Sequence, residues 1–243
     1  MKQVSEIIPQ HPTACSSSRD LEQFKADSFE EWRRKDREQA KLRRIAALRK
    51  KGIADNMLLD MTFANDLCPD SSPSKVARAY VREFDTLLEK NAGLLFAGGC
   101  GTGKTFYAGC IVNALIDKGI PALMTTMSRI IRLPFDAFDE ALRDIEAADL
   151  VVFDDLGAER DTSFAWERAF DAIDSRIRTR KPIIVTTNFS PQELRSAKNI
   201  REQRIYDRIL GACAVVPVTG ESIRAKEQRE KTNMILGLLK EDC

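Results

Sequence analysis

Residues 98–109 read GGCGTGKTFYAG, a glycine-rich turn that ends in Lys-Thr and runs straight into an apolar stretch. The spacing Gly98-x4-Gly103-Lys104-Thr105 is that of a phosphate-binding loop. Glycines let successive backbone N–H groups curl around an anion, and the N-terminus of a following helix adds partial positive charge. A lysine at 104 then reaches β- and γ-phosphates, and a hydroxyl at 105 ligates Mg²⁺. Gly98, Gly99, Cys100, Gly101, Thr102, Gly103, Lys104, Thr105 and Phe106 are the expected contacts to a nucleotide. Such a loop serves kinases, GTPases, motors and transporter subunits alike, so the remaining groups must decide between them.

Two carboxylates come next. LVVFDD (150–155) places Asp154 and Asp155 at the exposed end of a buried strand, where ligands collect in open α/β sheets. Asp154 there holds Mg²⁺ directly or through water, and Asp155 is the candidate to polarise an attacking water. Turn carboxylates that merely cap a helix would not need the buried strand in front of them. PIIVTTN (182–188) ends another strand with Asn188 in the same layer. Its amide either orients the water and touches the terminal phosphate, or forms a turn, since Asn suits left-handed positions. In NIREQRIYDRIL (199–210), Ile205 and Ile209 share one helix face, with Arg204 and Arg208 on an adjacent one. These arginines are either surface salt-bridge partners or groups offered to a neighbouring subunit. TGESIR (219–224) brings Arg224 to the start of the last helical segment.

The elements that must position these groups alternate along the chain. Strands are expected at 93–98, 121–127, 149–155, 182–188 and 213–220. Helices are expected at 104–118, 136–148, 163–179 and 199–210, with a short one after the capping box Ser190-Pro191-Gln192-Glu193. Alternation of this kind predicts an α/β fold, a five-stranded parallel sheet between helices. Ahead of it, Ser28 and Glu31 fit a capping box, and the run to Gly52 predicts one long helix. Residues 32–51 of that run carry a charge of +8 although the whole chain carries +1. Such asymmetry marks either an arm that meets nucleic acid or an acidic protein, or a solvated helix face. Residues 1–52 are therefore read as a basic helical partner-binding region, 53–74 (ending CPDSSPS) as a linker, and 75–243 as the main domain.

The chain has 43% hydrophobic and 31% charged residues, and no apolar run approaches the ~18 residues that a spanning helix needs, which argues against a membrane protein. MKQVSEIIPQHPTAC lacks the apolar core of an export signal, and a cytoplasmic location is expected. Six singly scattered cysteines, without a C-x-x-C pair, predict free thiols in a reducing compartment. His11 and Cys15 are two isolated ligands in a Pro/Ser-rich tail and do not make a tetrahedral metal site.

In their order, GGCGTGKT, LVVFDDLGAE, IIVTTN, RIYDRI and GESIR, these motifs resemble the AAA+ ATPases of the DnaC/DnaI type, bacterial replicative helicase loaders, and the related IstB-type transposition helpers. The resemblance covers roughly residues 60–230. It implies a P-loop NTPase (AAA+) domain that uses ATP and Mg²⁺, with a lid that is reduced or absent. Lys104 and Thr105 correspond to Walker A, Asp154 and Asp155 to Walker B, Asn188 to sensor 1 and Arg224 to sensor 2. Arg208 corresponds to an arginine finger acting on the next subunit's ATP, with Arg204 in reserve. The implied partners are a hexameric replicative helicase gripped by the arm, further copies of the chain joined through ATP at subunit junctions, and single-stranded DNA, met by Arg129 and Arg132 of TMSRIIR (126–132). Many AAA+ enzymes carry Asp-Glu in Walker B, whereas this chain carries Asp-Asp, one methylene shorter, which is expected to make water activation weak or conditional. The competing expectations are a transposition helper and an ATP-binding scaffold with little turnover. A small-molecule P-loop kinase would not require the series Asn188, Arg208, Arg224.

Overall fold

Alternate side chains of a strand point to opposite faces, so an unbroken apolar run is a strand buried on both sides. In β1 (Gly93–Ala97), Leu94 and Phe96 enter one core and Leu95 the other. β3 (Leu150–Leu156) does the same with Leu150 and Val152 against Val151 and Phe153. β2 (Ala122–Thr126), β4 (Ile183–Thr187) and β5 (Cys213–Pro217) complete a fully parallel sheet in the order β2-β3-β4-β1-β5. The computed structural model describes residues 18–53, 56–157, 162–197 and 199–240.

The chain divides into two compact units, 1–44 and 45–243. In the first, the described part is the basic stretch of α1 (Ser18–Gly52), where exposed Phe29 and Trp32 stack with ring centroids 6.0 Å apart and Arg33 lies 4.3 Å above Phe29. α1 starts ten residues before Ser28, so the expected capping box does not begin the helix. SRDLEQFKAD contains no Gly or Pro to stop it, and Ser inside a helix costs only a few tenths of a kcal/mol, roughly. The N-terminal stretch read for export, with His11 and Cys15, lies outside the described residues.

The second unit begins at Ile45 rather than beyond 52. Ile45, Leu48 and Ile53 join a core, Arg49 pairs with Asp117, and Lys51 pairs with Asp144 at 2.6 Å. On this face of the sheet lie α2 (Ser72–Arg82), α3 (Phe84–Glu89) and α4 (Lys104–Asp117). The other face carries α5 (Met127–Ile131), α6 (Phe135–Ala147), α7 (Ser163–Arg178), α8 (Pro191–Arg195) and α9 (Ile200–Ala212). The capping box at Ser190 and Glu193 forms as expected. Among the described residues one helix, α10 (Ile223–Lys240), follows β5.

Arg176 is completely buried and forms no salt bridge among the described residues. Its guanidinium donates instead to the carbonyls of Ile145, Ala148, Asp149 and Pro182, and burial lowers its pKa to about 10. It thereby ties the entries of β3 and β4 together, which leaves their opposite ends to carry the polar groups.

The stretch read as a linker is folded. Residues Asn56–Asp60 form a 3₁₀ turn that lies on α4, and Phe63–Asn65 form a second one, where Arg78 of α2 donates to the Phe63 carbonyl at 3.1 Å. Asn113 of α4 donates to the carbonyls of Leu58 at 2.7 Å and Met61 at 3.0 Å. Gly109 leaves the space that Met61 fills, since a Cβ there would lie 2.7 Å from the Met61 sulfur. Asp66, almost fully enclosed, accepts from Ser74 Oγ and from Arg78 at 3.4 Å. These contacts have no local sequence signature, because each joins positions far apart in the chain.

Candidate nucleotide-binding site

The loop after β1 is set by its glycines. Gly101 and Gly103 adopt φ of 78° and 99°, the left-handed region open to glycine at little cost. A Cβ on Gly101 would collide with Ser222 Oγ, and the Ile223 N–H donates to the Gly101 carbonyl at 3.0 Å. The start of α10 is thus seated on the loop, which carries Arg224 to its side.

Lys104 is buried, and its Nζ donates to Gly99 O at 2.6 Å and to Asn188 Oδ1 at 2.8 Å. Burial holds the ammonium below its usual pKa, while Asp155 and Asp154 pull the other way. Thr105, the next residue, donates its hydroxyl to Asp154 Oδ1 at 3.0 Å. Asp154 is only 4% exposed, and burial raises its carboxyl pKa against the hydrogen bonds from Thr186 and Thr105.

Between Phe153 and Leu156 the pairing of β3 with β4 shifts register. At that irregularity Asp155 takes φ 55°, a left-handed conformation that Asp tolerates better than most residues. The Asp154 side chain stays buried while Asp155 is exposed. Thr186 of β4, absent from the sequence expectations, serves both: its hydroxyl donates to Asp154 Oδ1 at 2.6 Å and accepts from the Asp155 N–H at 2.9 Å.

These groups border a cleft of about 450 Å³, lined by the loop, Lys104, Thr105, Asp155, Asn188 and Arg224. The opposite wall is the former linker, with Met57, Met61 and Leu67. Oxygen donors at Thr105 and Asp154 suit a hard cation that shares its remaining ligands with phosphates and water. Among the described residues no group of three or more His, Cys, Asp or Glu side chains is placed to hold a metal by itself.

The family model for IstB-like ATP binding proteins matches residues 10–231. The chain belongs to that family. The replicative helicase loader DnaC of Escherichia coli (strain K12) is 28% identical over 158 residues, 62% of this chain and 62% of that protein. The replicative helicase loader DnaI of Bacillus subtilis (strain 168) is 27% identical over 150 residues, 56% of this chain and 48% of that protein. The matched stretch is thus less than two thirds of either loader's length. A crystal structure of the DnaC helicase loader superposes with a TM-score of 0.58 at 22% identity, covering 68% of this chain and 100% of that one. The fold is that of a P-loop NTPase of the AAA+ class.

In this IstB-like chain Cys100, Gly101, Gly103, Lys104, Thr105, Phe106, Asp155, Asn188 and Arg224 line the cleft and Asp154 is bonded to Thr105, whereas Gly98, Gly99, Thr102 and the α9 arginines are not in its lining. Arg208 lies outside the cleft: its Nε donates to Asp174 Oδ1 on α7 at 2.8 Å, and its guanidinium lies 4.7 Å from the Phe170 ring centroid. Arg204 is exposed and has no salt-bridge partner among the described residues. Arg129 and Arg132 are exposed on and just after α5. Beside them, Phe135 and Phe164 are 72% and 54% exposed and flank Arg168, whose guanidinium also lies 3.9 Å above Phe138. An exposed aromatic cluster of this kind has a sequence trace only in FDAF and SFAW, which read equally as helix starts. Among the described residues no helix is long and apolar enough to cross a membrane.

Proposed function

We propose that this chain is an ATPase that loads a hexameric replicative DNA helicase onto single-stranded DNA. The observation that carries the reading is the convergence of Lys104, Thr105, Asp155, Asn188 and Arg224, from four separate stretches of sequence, on one cleft, with buried Asp154 bonded to Thr105. The loaders among its relatives supply the task.

Each residue has a role that its position supports. The loop N–H groups and Lys104 hold the triphosphate, with Arg224 alongside. Thr105 and Asp154 would hold Mg²⁺, which when bound would supply positive charge against the phosphates. Asp155, exposed at the register shift of β3, accepts the proton of the attacking water, and Asn188 orients that water. Arg208 is presented to the ATP of an adjacent copy, where such a guanidinium is worth roughly 10³ to 10⁵ in rate. ATP then sits at the subunit junction and hydrolysis depends on assembly.

The arm is read as the helicase grip, because it combines strong positive charge with an exposed Phe29–Trp32 stack. Single-stranded DNA is assigned to the α5–α6 region, where Arg129 and Arg132 supply phosphate contacts and Phe135 and Phe164 supply faces for base stacking.

The test is co-purification with the replicative helicase in the presence of a nonhydrolysable ATP analogue, together with phosphate release against a Lys104→Ala control. Capture that Phe29→Ala/Trp32→Ala abolishes, with turnover above the control, is the expected result. Failure to capture helicase would end the loader reading, and phosphate release equal to the control would leave an ATP-binding scaffold.

A further inference from the structure

We propose that Thr186 is a positioning residue for the ATPase reaction, setting the Asp154 carboxylate to meet Mg²⁺ and the Asp155 backbone to present its side chain to water. The inference rests on the nucleotide-hydrolysing reading of the cleft.

The geometry is specific to one oxygen. Thr186 is completely buried, and its hydroxyl has one proton to give and lone pairs to accept with. The Thr186 proton goes to Asp154 Oδ1 at 2.6 Å, and the Asp155 N–H donates to the Thr186 hydroxyl oxygen itself at 2.9 Å. Thr105 reaches the same Oδ1 from the other side at 3.0 Å. The terminal torsion of an aspartate is otherwise broad, and two hydroxyls on one oxygen fix it. Meanwhile the Asp155 amide, displaced from regular pairing by the register shift in β3, finds its acceptor in a side chain. A single hydroxyl therefore holds apart two adjacent carboxylates that must do different things.

The neighbouring residue serves as an internal comparison. Thr187 is equally buried, but its hydroxyl donates to the Leu156 carbonyl at 2.9 Å and accepts from the Phe189 N–H at 3.2 Å, without touching either carboxylate. Loss of that hydroxyl perturbs the same strand ends and not the Asp154 oxygen.

The experiment compares Thr186→Val, Thr186→Ser and Thr187→Val in the full chain. Two readouts do not depend on turnover: hydrogen exchange of the Asp155 amide in nucleotide-free protein, and the Mg²⁺ concentration that half-saturates binding of a fluorescent ATP analogue. Thr186→Val is expected to speed that exchange and to raise the Mg²⁺ requirement about tenfold, the size of one hydrogen bond to a charged group. It should also lower kcat while KM for ATP stays within about threefold, the split expected of a group that acts on the reacting centre. Thr186→Ser should restore all three, and Thr187→Val should leave the Mg²⁺ requirement unchanged. Wild-type exchange and Mg²⁺ requirement in folded Thr186→Val would overturn the assignment. Should that variant not fold, Thr186→Ala is read by the same two measurements. If the wild type shows no Mg²⁺-dependent nucleotide binding, the ATPase reading itself fails, and amide exchange still decides whether Thr186 holds Asp155.

Discussion

Lys104 Nζ donates to Asn188 Oδ1 at 2.8 Å, joining the loop after β1 to the end of β4 across 84 positions of sequence. An ammonium has three protons, of which two are directed here, to Asn188 and to the Gly99 carbonyl. Asn188→Asp would replace a neutral acceptor by a carboxylate that competes with phosphate for that ammonium. It should weaken ADP binding about tenfold, as expected when a hydrogen bond to a charged group is altered. Asn188→Ala should leave ADP affinity within about threefold and depress turnover. Titration of a fluorescent nucleotide beside a phosphate-release assay separates the two, and equal losses in both variants would remove Asn188 from the reaction.

Asp155 is exposed and left-handed, so its side chain contributes little to packing. Asp155→Asn keeps both the conformation and the size, since Asn also tolerates positive φ. It should change thermal stability by less than about 0.5 kcal/mol and cut turnover roughly 10² to 10⁴-fold. Single-turnover hydrolysis with saturating ATP checks this, and retention of full turnover would exclude Asp155 as the base.

Arg208 is held by Asp174 on its own chain, yet its proposed target is a neighbour's ATP. Arg208→Ala should bind ATP within about threefold of wild type and lose turnover. Mixed with Asp155→Asn, which keeps its arginine, it should recover activity, because each variant supplies what the other lacks. No recovery at any mixing ratio would place the effect of Arg208 within its own subunit.

The same pair sets a pH dependence. Burial pushes the Asp174 carboxyl up, but Arg208 and Arg178 outweigh it and hold its pKa below the usual 3.8. A depressed carboxylate stabilises the fold above its unfolded pKa, and the contribution is lost as pH falls through the folded value. Asp174→Asn should therefore be less stable than wild type near neutrality by roughly 0.2–1 kcal/mol, as for an ion pair at the protein surface. The difference should vanish at pH values well below 4, as read from melting temperatures. A difference that persists there would show that Asp174 acts through packing.

Gly109 is the notch in which Met61 sits. Gly109→Ala should displace the 3₁₀ wall of the cleft, lower stability by about 1–3 kcal/mol as overpacking does, and weaken nucleotide binding. Met61→Ala in the same chain should recover part of the loss, a coupling that a double-mutant cycle measures. Additive losses would mean that the two residues do not share the space.

Much of this architecture was legible in one dimension. Continuous apolar runs ending in polar residues marked β1, β3 and β4, because a strand buried on both faces must be apolar until it emerges. The loop at 98–105 and the carboxylates at 154 and 155 were legible for the same reason: backbone curvature and metal ligation demand particular residue types at fixed local spacing. The arm's charge was equally plain, although its helix starts at Ser18 rather than Ser28. Tertiary structure alone decided which distant groups meet. That residues 56–67 form a wall of the cleft depends on Asn113, Gly109 and Asp66, and that Thr186 rather than another hydroxyl holds Asp154 depends on the register of β3 against β4. Only the fold could set Arg208 against Asp174 and outside the cleft of its own chain, since helix periodicity gives the face of an arginine and not what lies opposite it.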